Sequence, residues 1–251
     1  MNEKQENEEM EIEKIEETGT EEKAEEKKAT EEEREREEKL KEWKPKTELG
    51  KEVLAGKIKS IDEILDKNLK IFEPEIVDFL MPQLEIEIIN IGQAKGKFGG
   101  GKRRPWRQTQ KKTAEGNVPT FSCMCVVGDK NGHIGLGYGK AKETVPAKQK
   151  AIREAKLNMF RVKRGCGSFD CTCKEQHSIP VKVEGKEGSV RIVLMPAPRG
   201  TGLVADDECK KVFRLAGIKD IYTKSYGQTR TKINMIKACI AALKKLTKIA
   251  E

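Results

Sequence analysis

Apolar positions are nearly absent from the first 42 residues and then settle into strand and helix rhythms. Leu84, Ile86 and Ile88, followed by Ile91, repeat with a period near two, which predicts a strand. Residues 121–127 and 133–138 read as two further strands. They are joined by the tight turn Gly128-Asp-Lys-Asn-Gly132, where Asn131-Gly132 suits positive φ. Gly135, Gly137 and Gly139 leave one face of the returning strand bare, so another backbone can approach closely. A helix is predicted over about 143–160, with Thr144 as its cap and Pro146 in its first turn. Ala147, Ala151, Ala155 and Ile152 form a small-residue stripe for that bare face, and Lys148, Lys150, Arg153 and Lys156 carry the charge.

Upstream, Trp43, Pro45 and Leu49 suggest an extended segment. Ser60 with Glu63 resembles a capping box opening a short helix, and Pro74 opens a second, stopped by Pro82. Downstream, strands are predicted at 179–183 and 190–195. The loop Pro196-Ala-Pro-Arg-Gly-Thr-Gly202 then opens a helix over about 206–216, closed by Gly217. A strand over 218–226 and a helix over 231–248 follow; Ile233, Ile236, Ile240 and Leu243 make the helix's core stripe. The class is α+β. The predicted division is an acidic tail (1–42), an extension with short helices (43–81), a three-stranded sheet with a helix (82–160), a basic Cys-bearing connection (161–178) and a second small α+β domain (179–248).

Charge separates the tail from the rest. Residues 1–42 hold 19 Glu and 9 Lys or Arg, a net of −10, within a chain of net +8, which leaves +18 on residues 43–251. The tail has too little apolar surface to offset ordering entropy, so a disordered or fluctuating helical segment is expected. A body so basic repels itself and calls for a polyanionic partner. No run of 18 apolar residues predicts a membrane span, and the acidic start is unlike a secretory signal. Seven cysteines, an odd number, fit a reducing cytoplasmic setting or a metal better than a disulfide framework. His133 and His177 are the two histidines. His133, beside the turn, reads as a surface residue of the hairpin. No Walker loop, serine elbow or HExxH appears, and no carboxylate pair stands out, so the chain reads as non-catalytic.

Four features carry candidate chemistry. The stretch 95–112 reads as a flexible basic loop, with Lys95, Lys97, Lys102, Arg103, Arg104, Arg107, Lys111 and Lys112 around Phe98 and Trp106. Cations release counterions from a phosphate backbone and aromatics stack on unpaired bases; a solvated loop with no fixed partner is the alternative. A basic helix on a small sheet is the layout of double-stranded-RNA-binding domains, though the spacing fits a generic amphipathic helix equally. Glycines before a helix at Pro198–Gly202 suit phosphate, but Asp206 and Asp207 suit an ordinary cap. Cys166, Cys171, Cys173 and His177 can close a tetrahedral zinc site, although Cys-x-Cys is tighter than the usual finger spacing and free thiols are the alternative. Cys123 and Cys125 are assigned to opposite faces of their strand, unable to clamp one metal.

Taken together, these residues resemble a known family. Val126-Val-Gly-Asp-Lys-Asn-Gly-His-Ile-Gly-Leu-Gly137, Lys140-Ala-Lys-Glu143 and Arg161-Val-Lys-Arg-Gly165 are similar to the small-subunit ribosomal protein S-five family, called S-two in eukaryotes. Pro180-Val-Lys-Val-Glu-Gly185, Pro196-Ala-Pro-Arg-Gly-Thr-Gly202 and Leu215-Ala-Gly-Ile218 continue the likeness, and Trp43 and Leu49-Gly50 place it in the eukaryotic and archaeal branch. The resemblance implies a double-stranded-RNA-binding-like domain, then an α+β domain with a left-handed β–α–β crossover. It implies a place near the channel where messenger RNA enters the small subunit, holding ribosomal RNA beside neighbouring ribosomal proteins and supporting decoding accuracy. Lys111, Lys112, Lys130, His133, Lys140 and Lys142 would then face RNA, and Arg161, Lys163, Arg164 and Arg199 would bridge the domains and RNA; Lys148, on the basic helix, is a further RNA-binding candidate read from that helix's charge. Residues 96–107 look like an insertion relative to the family, and the cysteine cluster resembles that of archaeal members. The implied location is the cytoplasmic ribosome, with assembly in the nucleolus or nucleus if the source is eukaryotic. An extra-ribosomal RNA-binding regulatory module is the alternative reading, and an RNA-processing enzyme a third.

Overall fold

A computed structural model of the chain describes residues 43–93, 103–171, 173 and 175–249. The tail 1–42, and with it the expectation of a disordered or fluctuating helical segment, lies outside the described residues, as do Lys95, Lys97, Phe98 and Lys102.

Three short helices come first: α1 (Glu48–Leu54), α2 (Ile61–Asp66) and α3 (Pro74–Leu80). Leu49, expected in an extended segment, lies in α1, because Thr47 Oγ1 accepts the Gly50 N–H at 3.1 Å and Glu48 sits in the first turn. The capping box at Ser60 is not formed. Its hydroxyl donates to Glu63 at 3.0 Å instead of accepting a backbone N–H, and α2 is held by its buried Ile61 and Ile64.

The first sheet contains β1 (Glu85–Ile88), β2 (Arg107–Thr113), β3 (Gly116–Gly128), β4 (His133–Ala141) and β5 (Met159–Arg161), all antiparallel, in the order β1-β3-β4-β5 with β2 on β3. The end of the expected loop is therefore a strand. Arg107–Thr113 pairs with Gly116–Ser122 as a ribbon that is exposed along the whole of β2. Periodicity cannot find such a strand, because neither face is apolar; cross-strand Thr109 and Thr120, whose hydroxyls lie 2.8 Å apart, hold the register.

Helix α4 (Thr144–Leu157) crosses the sheet on the glycine face of β4. A Cβ at Gly135, Gly137 or Gly139 would lie 2.0–2.1 Å from the carbonyl oxygens of Ala155, Ala151 and Ala147, so the helix backbone rests directly on the strand. Its N-cap is Glu143, with no side-chain cap bond, and not Thr144. Positive φ in the β3–β4 turn falls on Lys130 and Gly132, not on Asn131.

The second sheet, in the order β6-β7-β9-β8, is built from β6 (Val183–Glu187), β7 (Val190–Pro196), β8 (Leu203–Val204) and β9 (Ile221–Tyr226). The strand expected at 179–183 starts only at Val183, since Pro180 has no N–H to pair. Helix α5 (Asp207–Leu215) carries the crossover between the parallel strands β8 and β9, and α6 (Lys232–Ile249) packs on β6. There the close approach recurs, with a Gly185 Cβ 2.0 Å from the Ala238 carbonyl oxygen. Gly217 takes φ 73° and ends α5 as expected: its N–H reaches Arg214 O and the Ile218 N–H reaches Phe213 O.

The two sheets share one core. Met124, Val126 and Ile134, on the face of the first sheet away from α4, pack in the same cluster as Ile192, Leu194, Phe213 and Leu243. Among the described residues no helix is long and apolar enough to cross a membrane.

His133 is not a surface residue. It is 9% exposed, with Nδ1 2.6 Å from Asp129 and Nε2 2.9 Å from Asp62 on α2. Asp62 also meets Arg161 at 3.2 Å. Burial opposes charge on the imidazole, but the two carboxylates outweigh it and hold its pKa above the usual value; the same contact holds Asp129 below the usual carboxylate value. Through these two contacts His133 pins the helical extension to the hairpin.

This packing makes two outcomes measurable. Gly137→Ala places a methyl group against backbone that cannot yield, so unfolding in urea should show a loss of about 3 kcal/mol or more; an unchanged midpoint would contradict the close approach. The His133 contribution is fully present below about pH 6.5 and is lost as pH rises through the raised folded pKa, while the Asp129 contribution is lost as pH falls through its lowered one. The stability gap between the parent and His133→Ala should thus narrow toward the alkaline side, and a gap that stays constant with pH would argue against the charged pin.

Candidate nucleic-acid interface and metal centre

The basic side chains divide into those facing outward and those used internally. Arg104, Arg107, Lys111, Lys112, Lys140, Lys142 and Lys148 are exposed. Arg107, Lys111 and Lys112 share the β2–β3 ribbon, while Lys140 and Lys142 sit at the end of β4 and just beyond it. Lys148 lies on α4, whose Ala147 and Ala151 face the sheet. Lys130 is exposed but paired with Glu85. Arg199 is exposed and meets Glu175 at 3.0 Å. Arg161 is engaged with Asp62, and Lys163 is half-buried.

Two of the expected residues are engaged in contacts within the protein. His133 is buried between its carboxylates. Arg164 donates to the carbonyls of Lys130, Asn131 and Gly217 at 3.2, 2.8 and 3.3 Å, which ties the β3–β4 turn to the end of α5. Arg230 and Lys232 were not singled out by the sequence. With Arg103 they line a cleft of about 470 Å3 at the start of α6, and an adjoining one of about 220 Å3 adds Arg107. Only the fold brings residues 103–107 beside 230–232.

Pro196–Gly202 does not open a helix. Strand β8 follows it, and α5 is capped separately by Asp206, whose side chain accepts the Glu208 N–H. The helix-terminus reading of that loop is therefore withdrawn.

The structure brings Cys166, Cys171, Cys173 and His177 together, with their ligand atoms all within 4.8 Å of one another. Cys171 Sγ lies 3.7 Å from His177 Nε2 and 2.9 Å from Cys173 Sγ, and Cys173 Sγ lies 3.7 Å from Cys166 Sγ. Ligands about 2.3 Å from a shared tetrahedral centre are separated by about 3.7 Å. His177 Nδ1 is 2.8 Å from Asp220 Oδ2, which leaves Nε2 directed at the sulfurs. The Cys173 thiol, and then the backbone N–H groups of Arg199 and Cys173, draw Cys171 down to about 6, while Cys173 is pushed up to about 11. The donor set fits a closed structural metal site. Asp220 could not be found from the sequence, since it lies 43 residues from His177.

Cys123 and Cys125 share one face of β3, because side chains repeat with a period of two, and their sulfurs lie 3.6 Å apart beneath α4. Their assignment to opposite faces is corrected.

Comparison with known proteins supports both halves of the chain. Residues 106–163 match the family described as ribosomal protein S5, N-terminal domain, and residues 185–251 match ribosomal protein S5, C-terminal domain. The small ribosomal subunit protein uS5 of Nanoarchaeum equitans is 53% identical over 206 residues, covering 82% of this chain and 88% of that protein. Its namesakes in Thermofilum pendens (49% over 202 residues, 80% and 93%) and Methanocaldococcus jannaschii (48% over 203 residues, 81% and 87%) are similarly close. With both domains matched and half the positions shared over four-fifths of its length, the chain belongs to the ribosomal protein S5 family, on its archaeal side.

Proposed function

We propose that this chain is a fixed, non-catalytic constituent of the small ribosomal subunit in the cytoplasm. Family membership supports the structural role. Beyond it, we assign the chain to ribosomal RNA beside the channel where messenger RNA enters, among neighbouring ribosomal proteins, with support of decoding accuracy as its contribution to translation. Residues 82–160 and 179–248 are the two RNA-facing halves, joined through 161–178.

One observation carries the RNA assignment: the β2–β3 ribbon. It buries no apolar residue along β2, yet it presents Arg107, Lys111 and Lys112 outward. A two-stranded ribbon without a core is marginal alone and gains stability from a partner, and its charge specifies a polyanion. Lys140, Lys142 and Lys148 continue that surface, and Arg103, Arg104 and the cleft at Arg230 extend it.

We further assign a structural zinc to Cys166, Cys171, Cys173 and His177. Three thiolates and an imidazole would supply its four ligands, and the ion would cross-link the connection between the two sheets.

The chain should co-sediment with small subunits through moderate salt, and a wholly soluble pool would contradict the assignment. Affinity for small-subunit RNA should fall steeply with salt, and Lys111→Ala with Lys112→Ala should flatten the logarithmic slope by about 1 for each lysine replaced. An unchanged slope would remove the ribbon from the interface. Purified chain should carry one zinc, lost in Cys173→Ser; absence of stoichiometric zinc from the parent would end the metal assignment.

A further inference from the structure

The metal cluster and the Pro196–Gly202 loop are tied by hydrogen bonds that neither the RNA assignment nor zinc binding requires. Asp220 is 4% exposed and its two oxygens serve different masters: Oδ2 holds His177 Nδ1 at 2.8 Å, and Oδ1 accepts the Gly202 N–H at 2.8 Å. Ser178, next to His177 and fully buried, accepts the Ala197 N–H at 3.2 Å. The Arg199 guanidinium meets Glu175 at 3.0 Å. At the far side of the cluster, Gly165 and Ser178 exchange two backbone bonds of 2.9 Å beside Cys166. The loop is thus fastened at Ala197 and Gly202 to residues one step from the metal site.

The loop is also held within itself and to β9: the Thr201 hydroxyl donates to Pro198 O at 2.8 Å, and the Ile221 N–H donates to Gly202 O at 3.2 Å. Gly200 and Gly202 take φ of 87° and 73°, and a Cβ at either would meet nothing within 4 Å. Those glycines serve backbone freedom and not close packing, so the pose of Arg199 depends on the fastenings.

We infer that the metal centre sets the pose of the Arg199 loop, with Asp220 as the positioning residue that joins His177 to Gly202. This rests on the zinc assignment above. With Nε2 on a metal, His177 keeps its proton on Nδ1 and donates it to Asp220, which fixes the carboxylate and leaves Oδ1 aimed at the Gly202 N–H. Metal loss frees the imidazole and the thiols together, and Asp220 loses the partner that fixes its carboxylate toward Gly202. The metal state of the protein thereby regulates how Arg199 is presented at the surface.

The test is amide hydrogen exchange on the full-length chain, loaded with zinc and after chelation, with metal content measured on the same samples. Chelation should speed exchange at Gly202 while Ile192 and Leu194 in β7 keep their rates. Asp220→Asn retains an acceptor for Gly202 but cannot accept from Nδ1–H. It should lower zinc affinity by about 10- to 100-fold and speed exchange at Gly202 at subsaturating zinc. Zinc bound with unchanged loop exchange on chelation would overturn this inference alone. A chain that binds no zinc would overturn both it and the metal assignment. An Asp220→Asn chain with parental zinc affinity would remove Asp220 from the coupling.

Discussion

The contact on which the rest of the molecule depends is the meeting of two backbones, α4 and the glycine strand β4. Three alanine carbonyls stand where three Cβ atoms would be, so nothing thicker than a bare strand fits there. That closeness makes the helix a flat lid over one sheet face. The opposite face, with Met124, Val126 and Ile134, is then free to merge with the core of the second sheet. The same device recurs at Gly185 beneath α6, so both halves use absent side chains to bring helix and strand together.

Charge in this protein has two uses, which geometry separates. His133, Arg164 and Lys156 are joints: each is partly or wholly buried against carboxylates or carbonyls, as with Lys156 and Asp78 at 2.6 Å. The ribbon, the end of β4 and the outer face of α4 carry cations with far fewer acids nearby. Desolvating a charge is costly unless a partner is close, so the buried cations come with acids or carbonyls and the outward ones await a polyanion. The S5 family's role in the ribosome supplies that polyanion.

The fold was legible where a sequence pattern maps to one physical cause. Alternate glycines facing a stripe of alanines predicted the α4 contact, and Gly217 predicted the end of α5. The cysteine cluster was legible as ligand types at short spacing. The ribbon was not, because a strand exposed on both faces has no hydrophobic period. Nor were Asp62, Asp220 and the cleft at Arg230, since each depends on residues distant in sequence meeting in space. His133 was misplaced because nearness to a turn says nothing about the helix that covers it. Thr47 outperformed the capping pattern at Ser60, which shows that a motif needs its hydrogen bond as well as its letters.

The central claim, that this chain holds RNA as a fixed part of the small subunit, is tested most directly by a cryo-electron microscopy map of small subunits that contain it. The account predicts the β2–β3 ribbon in density against RNA phosphates, with Arg107, Lys111 and Lys112 at contact distance. A ribbon facing solvent, or particles lacking the chain altogether, would contradict it.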